Sequence, residues 1–435
     1  MKTSSSTRAP RKLASAWSTA ITATLLLAWG AAQAQPATDA SAPAAAEAAA
    51  YTLGELIAMA RQSSPMLAVG RADETLAQAG TITARAWPNP ELAIEPGRLR
   101  PRNADALSGS STVLSIGQPI ENPWLRDARL QSAQGGIELA RARTGALQAN
   151  LASGIRTRFF EIMRVDEELA AYREDLQLTE QIRDRILLRV RTGEAPRFDL
   201  VRAESEVEVT RKNLLTARLR RLQALAEMRT LVGPALARDF DIRYAPDTAQ
   251  GYALADYLAL RETIVERNPE VGVAKRQFEL AQRQVEVERN SVLPQVTLRA
   301  MQERDPETSI TRIGAQVTLP LINRREGPIA EARAQAERAR LALEQRRFET
   351  GAGFDAAWQG YSAAQARVQT IQEGILGRAR NALDIAEAAY RLGERGILEY
   401  LDAQRQFRLA RNELIAARFE LRSARSEMER LLGLQ

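Results

Sequence analysis

Apolar residues in parts of the chain alternate with polar residues or glycine. Four segments show this alternation: 91–97, 111–117, 296–301 and 310–319. In the last of them Ile313, Ala315 and Val317 point to one side, which is the period of a strand with one apolar face. Polar stretches separate the members of each pair. The pattern therefore predicts four short strands, arranged as the hairpins 91–117 and 296–319.

Stretches with helical character precede and follow each hairpin. Their approximate bounds are 54–86, 121–192 and 197–232 in the first half, and 255–292, 322–392 and 397–432 in the second. The two longest contain proline only in the first turn, at Pro123 and Pro328, where it is tolerated. A helix of about 72 residues is a rod of roughly 108 Å, which a single globular domain does not need.

The returning helices carry a coiled-coil seam. In the second half its positions are Phe407, Ala410, Leu414, Ala417, Leu421, Ala424, Met428 and Leu431. These positions are spaced alternately by three and four residues, and the same spacing runs from Val207 to Leu231, 200 residues earlier. A spacing maintained in this way predicts helices that wrap around one another.

The two halves of the chain are copies of one unit. Gly193 corresponds to Gly393 and Asp199 to Glu399 at an offset of 200, and proline borders recur at nearly the same offset. A fixed internal period indicates a repeat architecture. We assign residues 51–233 to the first repeat, 234–254 to a linker and 255–435 to the second repeat.

The N-terminus has the order of a secretory signal peptide. Basic residues from Lys2 to Lys12 precede an apolar stretch, and Ala32-Gln33-Ala34 forms a small-residue cleavage site, so residues 1–34 are predicted to be removed. Residues 35–50, rich in alanine and proline, are predicted to be a flexible leader. Loss of four basic residues lowers the formal net charge from +6 to +2, so the high pI does not argue for nucleic-acid binding.

The composition excludes several kinds of chemistry. The chain contains no cysteine and no histidine, so it has no disulfide, no thiolate and none of the best ligands for zinc or copper. A serine-histidine-aspartate set is impossible, and the glycines near 351–374 lie on a helix rather than in a phosphate-binding loop. We expect neither catalysis nor a cofactor.

The strands can satisfy their hydrogen bonds in a membrane only by sharing them between chains. Four strands cannot close, whereas a threefold trimer supplies twelve. The expected fold is mainly α with a small membrane β part: a duplicated long-helix coiled-coil tube plus four strands per chain, which form a twelve-stranded β-barrel in a trimer. The expected lipid face consists of Leu92, Ile94, Leu114, Ile116, Val296, Leu298, Ile313, Ala315 and Val317.

The duplicated unit, the entry Trp87-Pro88-Asn89-Pro90-Glu91-Leu92 and the tip Tyr390 to Gln404 resemble the outer membrane efflux protein family, which is TolC-like. The Asn-Pro-Glu-Leu entry is most similar to the cobalt-zinc-cadmium (CzcC-like) branch. The resemblance implies a homotrimeric exit duct in the outer membrane lipid with a long periplasmic extension. It also implies a periplasmic adaptor and an inner-membrane pump of the resistance-nodulation-division (RND) type as partners, and heavy-metal cations as cargo.

The same resemblance implies a periplasmic gate at the helical tip. Glu399 and Asp402 match an acidic ring, whereas Tyr390 and Arg395 match groups that bond to the acid at Asp199 and hold the aperture closed. The structural alternative is that acids in the first turn of a helix only stabilise that helix. Many members of the family have a cysteine for lipidation, which is absent here, so anchoring would rest on the strands.

Other functions remain open at this stage. The duct could export drugs or other small molecules, or a secreted protein, with a different inner-membrane partner. A periplasmic coiled-coil scaffold without a pore is a third possibility, but it has no use for strands with an apolar face. We further expect the loops at 98–110 and 302–308 to face the cell exterior, because each joins strands that leave and re-enter helices on the same side.

Overall fold

A computed structural model of the chain describes residues 49–100, 102, 107–244, 252 and 254–434. The expected signal peptide, most of the expected leader and part of the first hairpin loop, including Asp105, lie outside the described residues. The fold is mainly helical with a four-stranded sheet, which confirms the expected fold class. Among the described residues, no helix is both long enough and apolar enough to cross a lipid bilayer.

Each repeat contains two short helices, two strands, a long helix and a returning helix in the same order, and in the second repeat a π-helical turn interrupts the long helix. The first consists of β1 (Ala49–Tyr51), α1 (Leu53–Ser63), α2 (Pro65–Arg85), β2 (Glu91–Leu99), β3 (Gly109–Ile120), α3 (Pro123–Arg191) and α4 (Arg197–Val232). Strand β4 (Phe240–Ile242) follows within the linker. The second consists of α5 (Leu254–Arg267), α6 (Pro269–Asn290), β5 (Gln295–Arg304), β6 (Ser309–Thr318), α7 (Glu326–Thr370), a π-helical turn (Ile371–Ile375), α8 (Leu376–Arg391) and α9 (Ile397–Leu431).

Several expected boundaries were wrong. The helix expected over 54–86 is broken between α1 and α2, because proline disfavours the helical conformation of the residue before it and Ser64 is extended at ψ 126°. Asn268, also extended before a proline, separates α5 from α6 in the same way. Strand β1 begins at Ala49, within the expected leader, and pairs in parallel with β4 of the expected linker.

The four longer strands form one antiparallel sheet in the order β2-β3-β5-β6. The register aligns Leu92 with Ile116, Ile116 with Ala300, and Ala300 with Ile313. Paired residues of a sheet share a face, so the nine residues expected to face lipid lie on one side of this sheet. Strands β2 and β6 are its two edges.

The core repeats as well. Around α1, the first cluster contains Leu56, Ile155 and Met228; around α5, its counterpart contains Ile264, Phe354 and Met428. Each returning helix ends at a glycine with positive φ, Gly233 at 104° and Gly433 at 68°. Side chains at the breaks bind the ends of these helices: Ser63 Oγ donates to the Val232 carbonyl (2.8 Å), and Asn268 Nδ2 donates to the Leu431 carbonyl (2.9 Å).

Candidate functional site at the helical tip

The two helical hairpins end in identical turns. Gly193 and Gly393 have φ of 82° and 77°, a region that favours glycine. In each turn the glycine N–H donates to the carbonyl three residues earlier, and the next N–H donates to the carbonyl five residues earlier. This is a Schellman motif, which satisfies the last carbonyls of the helix and reverses the chain within a few residues.

A shared core binds the two hairpins to each other at the tip. Ile186 of α3, Ala203 of α4, Leu383 of α8 and Tyr400 of α9 are all buried in one cluster. Tyr400 is fully enclosed, and burial raises the pKa of its hydroxyl. The tip of the first repeat and the tip of the second therefore form one unit in the chain.

Tyr390 connects the two repeats through its ring. The ring stacks on Tyr400 with a centroid distance of 5.7 Å and an interplanar angle of 10°, and the Arg189 guanidinium of α3 lies 5.6 Å from its centroid. Arg189 and Tyr400 were missed by the sequence analysis. The one sequence signal that could have indicated them is their position close to the two turns that the repeat alignment defines.

The two expected acidic residues are each paired with an arginine of the same segment. Arg395 Nη1 lies 3.1 Å from Glu399 Oε1, and Asp402 pairs with Arg405. Both pairs are about half exposed, so each contributes little to stability. The acids of one chain therefore face solvent with their charge largely compensated.

Asp199 lies in the first turn of α4, where its N–H donates to the Pro196 carbonyl (3.1 Å). Within the described part of one chain, neither Arg395 nor Tyr390 bonds to it: Arg395 bonds to Glu399, and Tyr390 contacts Tyr400 and Arg189. The five expected residues thus lie at one end of the molecule, but the expected bonds to Asp199 are not made within a single chain.

A buried ionic cluster lies behind the tip, between α9 and the first repeat. Arg411 Nη2 donates to Asp175 Oδ2 (2.6 Å) and to the Ala171 carbonyl (3.2 Å). Arg408 pairs with Glu206 and bonds to Thr210 Oγ1 (3.3 Å). Burial raises the pKa of Asp175, an effect that Arg411 opposes. We call these residues the inter-repeat clasp: Asp175, Glu206, Thr210, Arg408 and Arg411.

Metal binding finds no support at the tip or elsewhere in the described ranges. No group of three or more acidic residues there is placed to hold a metal ion. The polar groups of the tip instead form ion pairs, an aromatic stack and helix-end carboxylates.

The outer side of α4 is bare, unlike that of α9. On α9, Ile415 is buried, Phe419 lies under the Arg164 guanidinium of α3 (5.4 Å), and Arg422 pairs with Glu167 of α3 (3.5 Å). The corresponding residues 200 positions earlier are Leu215, Leu219 and Leu222, which are 57, 59 and 62% exposed. We call these three leucines the α4 stripe. A groove of about 690 Å³, lined in part by Leu222, continues it.

The model of the outer membrane efflux protein family matches residues 56–234 and 260–434, which is both repeats. The chain belongs to this family. The cobalt-zinc-cadmium resistance protein CzcC of Cupriavidus metallidurans is 24% identical over 392 residues, covering 88% of this chain and 90% of the relative. The expected similarity to that branch is confirmed.

Other similar proteins include one that is named for a different cargo. The pyoverdine export outer membrane protein OpmQ of Pseudomonas aeruginosa is 23% identical over 418 residues, covering 88% of this chain and 85% of the relative. The crystal structure of the outer membrane protein VceC of Vibrio cholerae is similar to this chain with a TM-score of 0.72 and 20% identity. The match covers 88% of this chain and 97% of the VceC chain. The fold is therefore that of an outer-membrane channel.

Proposed function

We propose that three copies of this chain form an exit duct in the outer membrane, which a periplasmic adaptor and an RND-type inner-membrane pump supply with cargo. The observation that carries the proposal is the bare α4 stripe. Its counterpart on α9 is covered by α3 of the other repeat. The equivalent cover for α4 is the long helix α7 of another copy.

The short helices before the strands support the same arrangement. Helix α6 lies between the two long helices α3 and α7, whereas α2 packs chiefly against α3 alone. Its other side exposes Val69, Leu76 and Ile82 at 63, 71 and 72%. In a closed ring, each repeat would contact the next repeat, alternately within one chain and between two chains. Such a ring covers both the α4 stripe and the exposed side of α2. Three such chains also bring edge β6 of one sheet beside edge β2 of the next.

Cysteine crosslinking tests this ring, because the natural chain has no cysteine background. The pair Arg422 and Glu167 joins the repeats within one chain. Before the π-helical turn, α3 and α7 align at an offset of 199, as the core residues Ile155 and Phe354 show, so the counterpart between chains is Leu222 and Ala366. We expect Leu222→Cys with Ala366→Cys to give crosslinked dimers and trimers on oxidation in membranes. Arg422→Cys with Glu167→Cys is the matched control and should crosslink only within one chain. Complete oxidation of the control pair without any dimer from the first pair would refute the ring.

For the cargo, we propose heavy-metal cations, which the name of the relative CzcC supports. A strain lacking the chain should become more sensitive to zinc, cobalt or cadmium and should regain resistance with the wild-type gene. Unchanged metal tolerance together with retention of a siderophore in the periplasm would favour small-molecule export, as the name of OpmQ suggests. Retention of a secreted protease would favour protein secretion.

We propose a gate at the tip formed by Asp199, Tyr390, Arg395, Glu399 and Asp402, with the bonds to Asp199 made between neighbouring copies. The exposed Arg395 supports this proposal, since its side chain is 64% accessible in one chain. Arg395→Ser with Tyr390→Phe should raise single-channel conductance in planar bilayers while the trimer yield stays at the wild-type level. Unchanged conductance with intact trimers would show that these are ordinary helix-end residues.

A further inference from the structure

The end of the sheet nearest the long helices exposes large apolar side chains, and this inference about it rests on the proposed function. Trp87 follows α2 and Trp124 begins α3, and they are 60 and 67% exposed. Leu321 and Ile322, between β6 and α7, are 72 and 99% exposed. In the proposed duct this junction of strands and helices lies at the membrane surface that faces the periplasm. Tryptophan is enriched at such surfaces.

An arginine is held against one of these tryptophans. The Arg126 guanidinium carbon lies 4.7 Å from the centre of the Trp87 ring, and Arg126 Nη2 donates to the Arg85 carbonyl (3.0 Å). The Arg126 Nε is buried and has no hydrogen-bond partner among the described residues. The stacked ring and the carbonyl fix the plane of the guanidinium, while Nη1, which makes no hydrogen bond within the described residues, remains for another ligand. We call Arg126 and Trp87 the clip.

Three carboxylates on the segments that border this end of the sheet are already engaged. Glu121 pairs with Arg129 (2.5 Å), Asp127 accepts from Gln131 (2.7 Å), and Glu288 pairs with Arg325 (2.7 Å). Within the part of the chain that the structure describes, Arg126 forms no ion pair, and neither do the exposed Arg85 and Arg324. The junction therefore combines exposed apolar side chains with guanidinium groups that lack an anion.

We infer that the clip binds the phosphate of an anionic phospholipid in the leaflet facing the periplasm. A guanidinium presents planar, paired donors that match phosphate oxygens. The acyl chains of the same lipid would lie along the apolar face of the sheet, which begins at Ile120 and Val317. Free phosphate would bind through the headgroup contact alone and gain nothing from the sheet.

Native mass spectrometry of the full mature trimer in detergent tests the inference, with phosphatidylglycerol and phosphatidylcholine titrated in parallel. We expect the wild type to bind phosphatidylglycerol in preference. Arg126→Gln should weaken that binding about fivefold, since one basic residue near an anionic membrane surface has an effect of this order. Trp87→Leu should weaken it less, because it removes the stacking and keeps the apolar contact. Inorganic phosphate should not compete.

The matched control is Arg218→Gln, which removes an exposed arginine on α4, far along the chain from the sheet. It should leave phosphatidylglycerol binding at the wild-type level. The inference is overturned if Arg126→Gln and Trp87→Leu both retain the wild-type lipid preference while trimers form. Displacement of the lipid by inorganic phosphate would also overturn it. Absence of the trimer in the wild type would instead defeat the proposed function, so the two failures are distinguishable.

Discussion

Arg395 has a second effect at the tip besides any bond to a neighbouring chain. Its guanidinium compensates the charge of Glu399, just as Arg405 compensates Asp402. In a threefold ring each of these pairs is repeated three times around the aperture. In the proposed gate, the cation affinity of the aperture therefore depends on the arginines as much as on the carboxylates, and substitutions of the two residue types should change it in opposite directions.

Arg395→Ser should strengthen the block of single-channel current by trivalent cations added from the periplasmic side, because it uncovers three carboxylates that concentrate cations. Glu399→Ala with Asp402→Ala should weaken the block. Titration of the blocking cation in planar bilayers measures both effects. The matched control is Arg380→Ser, which opens a similarly exposed pair with Asp384 on α8, away from the turn. Equal changes in the control and in Arg395→Ser would contradict a local role.

The five residues of the proposed gate were predicted from the sequence to lie at the tip, but the contacts of each one were not. Glu399 pairs with Arg395 of the turn before α9, and Asp402 pairs with Arg405 of α9, at spacings of four and three residues that a sequence does display. The contacts of Tyr390 with Tyr400 and Arg189 depend on how two hairpins pack, and Arg189 is 201 positions away along the chain. Periodicity predicts the face of the helix on which a residue lies, but it does not predict which residue of another helix it contacts.

At the scale of elements, the inter-repeat clasp differs from the tip pairs in burial. The side chains of Asp175 and Arg411 are 6 and 17% exposed, whereas those of Arg395 and Glu399 are 64 and 53% exposed. Loss of one partner of a buried pair leaves an uncompensated charge in a medium that solvates it poorly. An exposed pair leaves its remaining partner in water. The same substitution of arginine by glutamine should therefore reduce folding stability more in the inter-repeat clasp than at the tip.

Arg411→Gln should destabilise the tip by about 3 to 5 kcal/mol, and Arg395→Gln by less than about 1 kcal/mol. The thermal midpoint of helix loss, followed by circular dichroism in detergent, measures the difference. Arg411→Gln with Asp175→Asn should recover part of the loss, because no charge is then stranded. Similar midpoints for the two single variants would contradict the importance of burial.

The Asp175 carboxyl makes the destabilisation caused by Arg411→Gln depend on pH. Burial raises the pKa of Asp175 in the folded chain, so the folded state takes up the proton at a higher pH than the unfolded state. The loss of stability in Arg411→Gln, relative to the wild type, should be largest at pH values above the folded pKa of Asp175. It should shrink as the pH falls through that pKa. A loss of stability in Arg411→Gln that grows on acidification would contradict the role given to Asp175.

The elements themselves were largely predictable. Alternation located all four strands of the sheet to within a few residues, and the 200-residue offset aligned the two turns at Gly193 and Gly393. The breaks at Ser64 and Asn268 were missed although a proline follows each one, since proline is also common in the first turn of a continuing helix. The π-helical turn at Ile371–Ile375 has no counterpart in α3, and nothing in its sequence indicates it.

At the scale of the whole molecule, the hairpin turns and the helical tips lie at opposite ends of the long helices. Helix α3 alone has 69 residues, which corresponds to about 100 Å. The turn of the second hairpin is ordered by Asp305, which accepts hydrogen bonds from the N–H groups of Glu307 and Thr308. Glu307 in turn accepts from the Leu107 N–H (2.6 Å), so the two hairpins are connected at this end.

Labelling of single cysteines on cells tests the orientation of this rod in the envelope. In the proposed duct the hairpin turns face the exterior and the tips face the periplasm. Thr308→Cys should therefore react with a membrane-impermeant maleimide on intact cells, whereas Glu394→Cys should react only after the outer membrane is permeabilised. Both positions are exposed, and the natural chain contains no competing thiol. Labelling of Glu394→Cys on intact cells, with Thr308→Cys protected, would reverse the orientation. Equal labelling of both before permeabilisation would show that the chain does not separate the two compartments as a duct must.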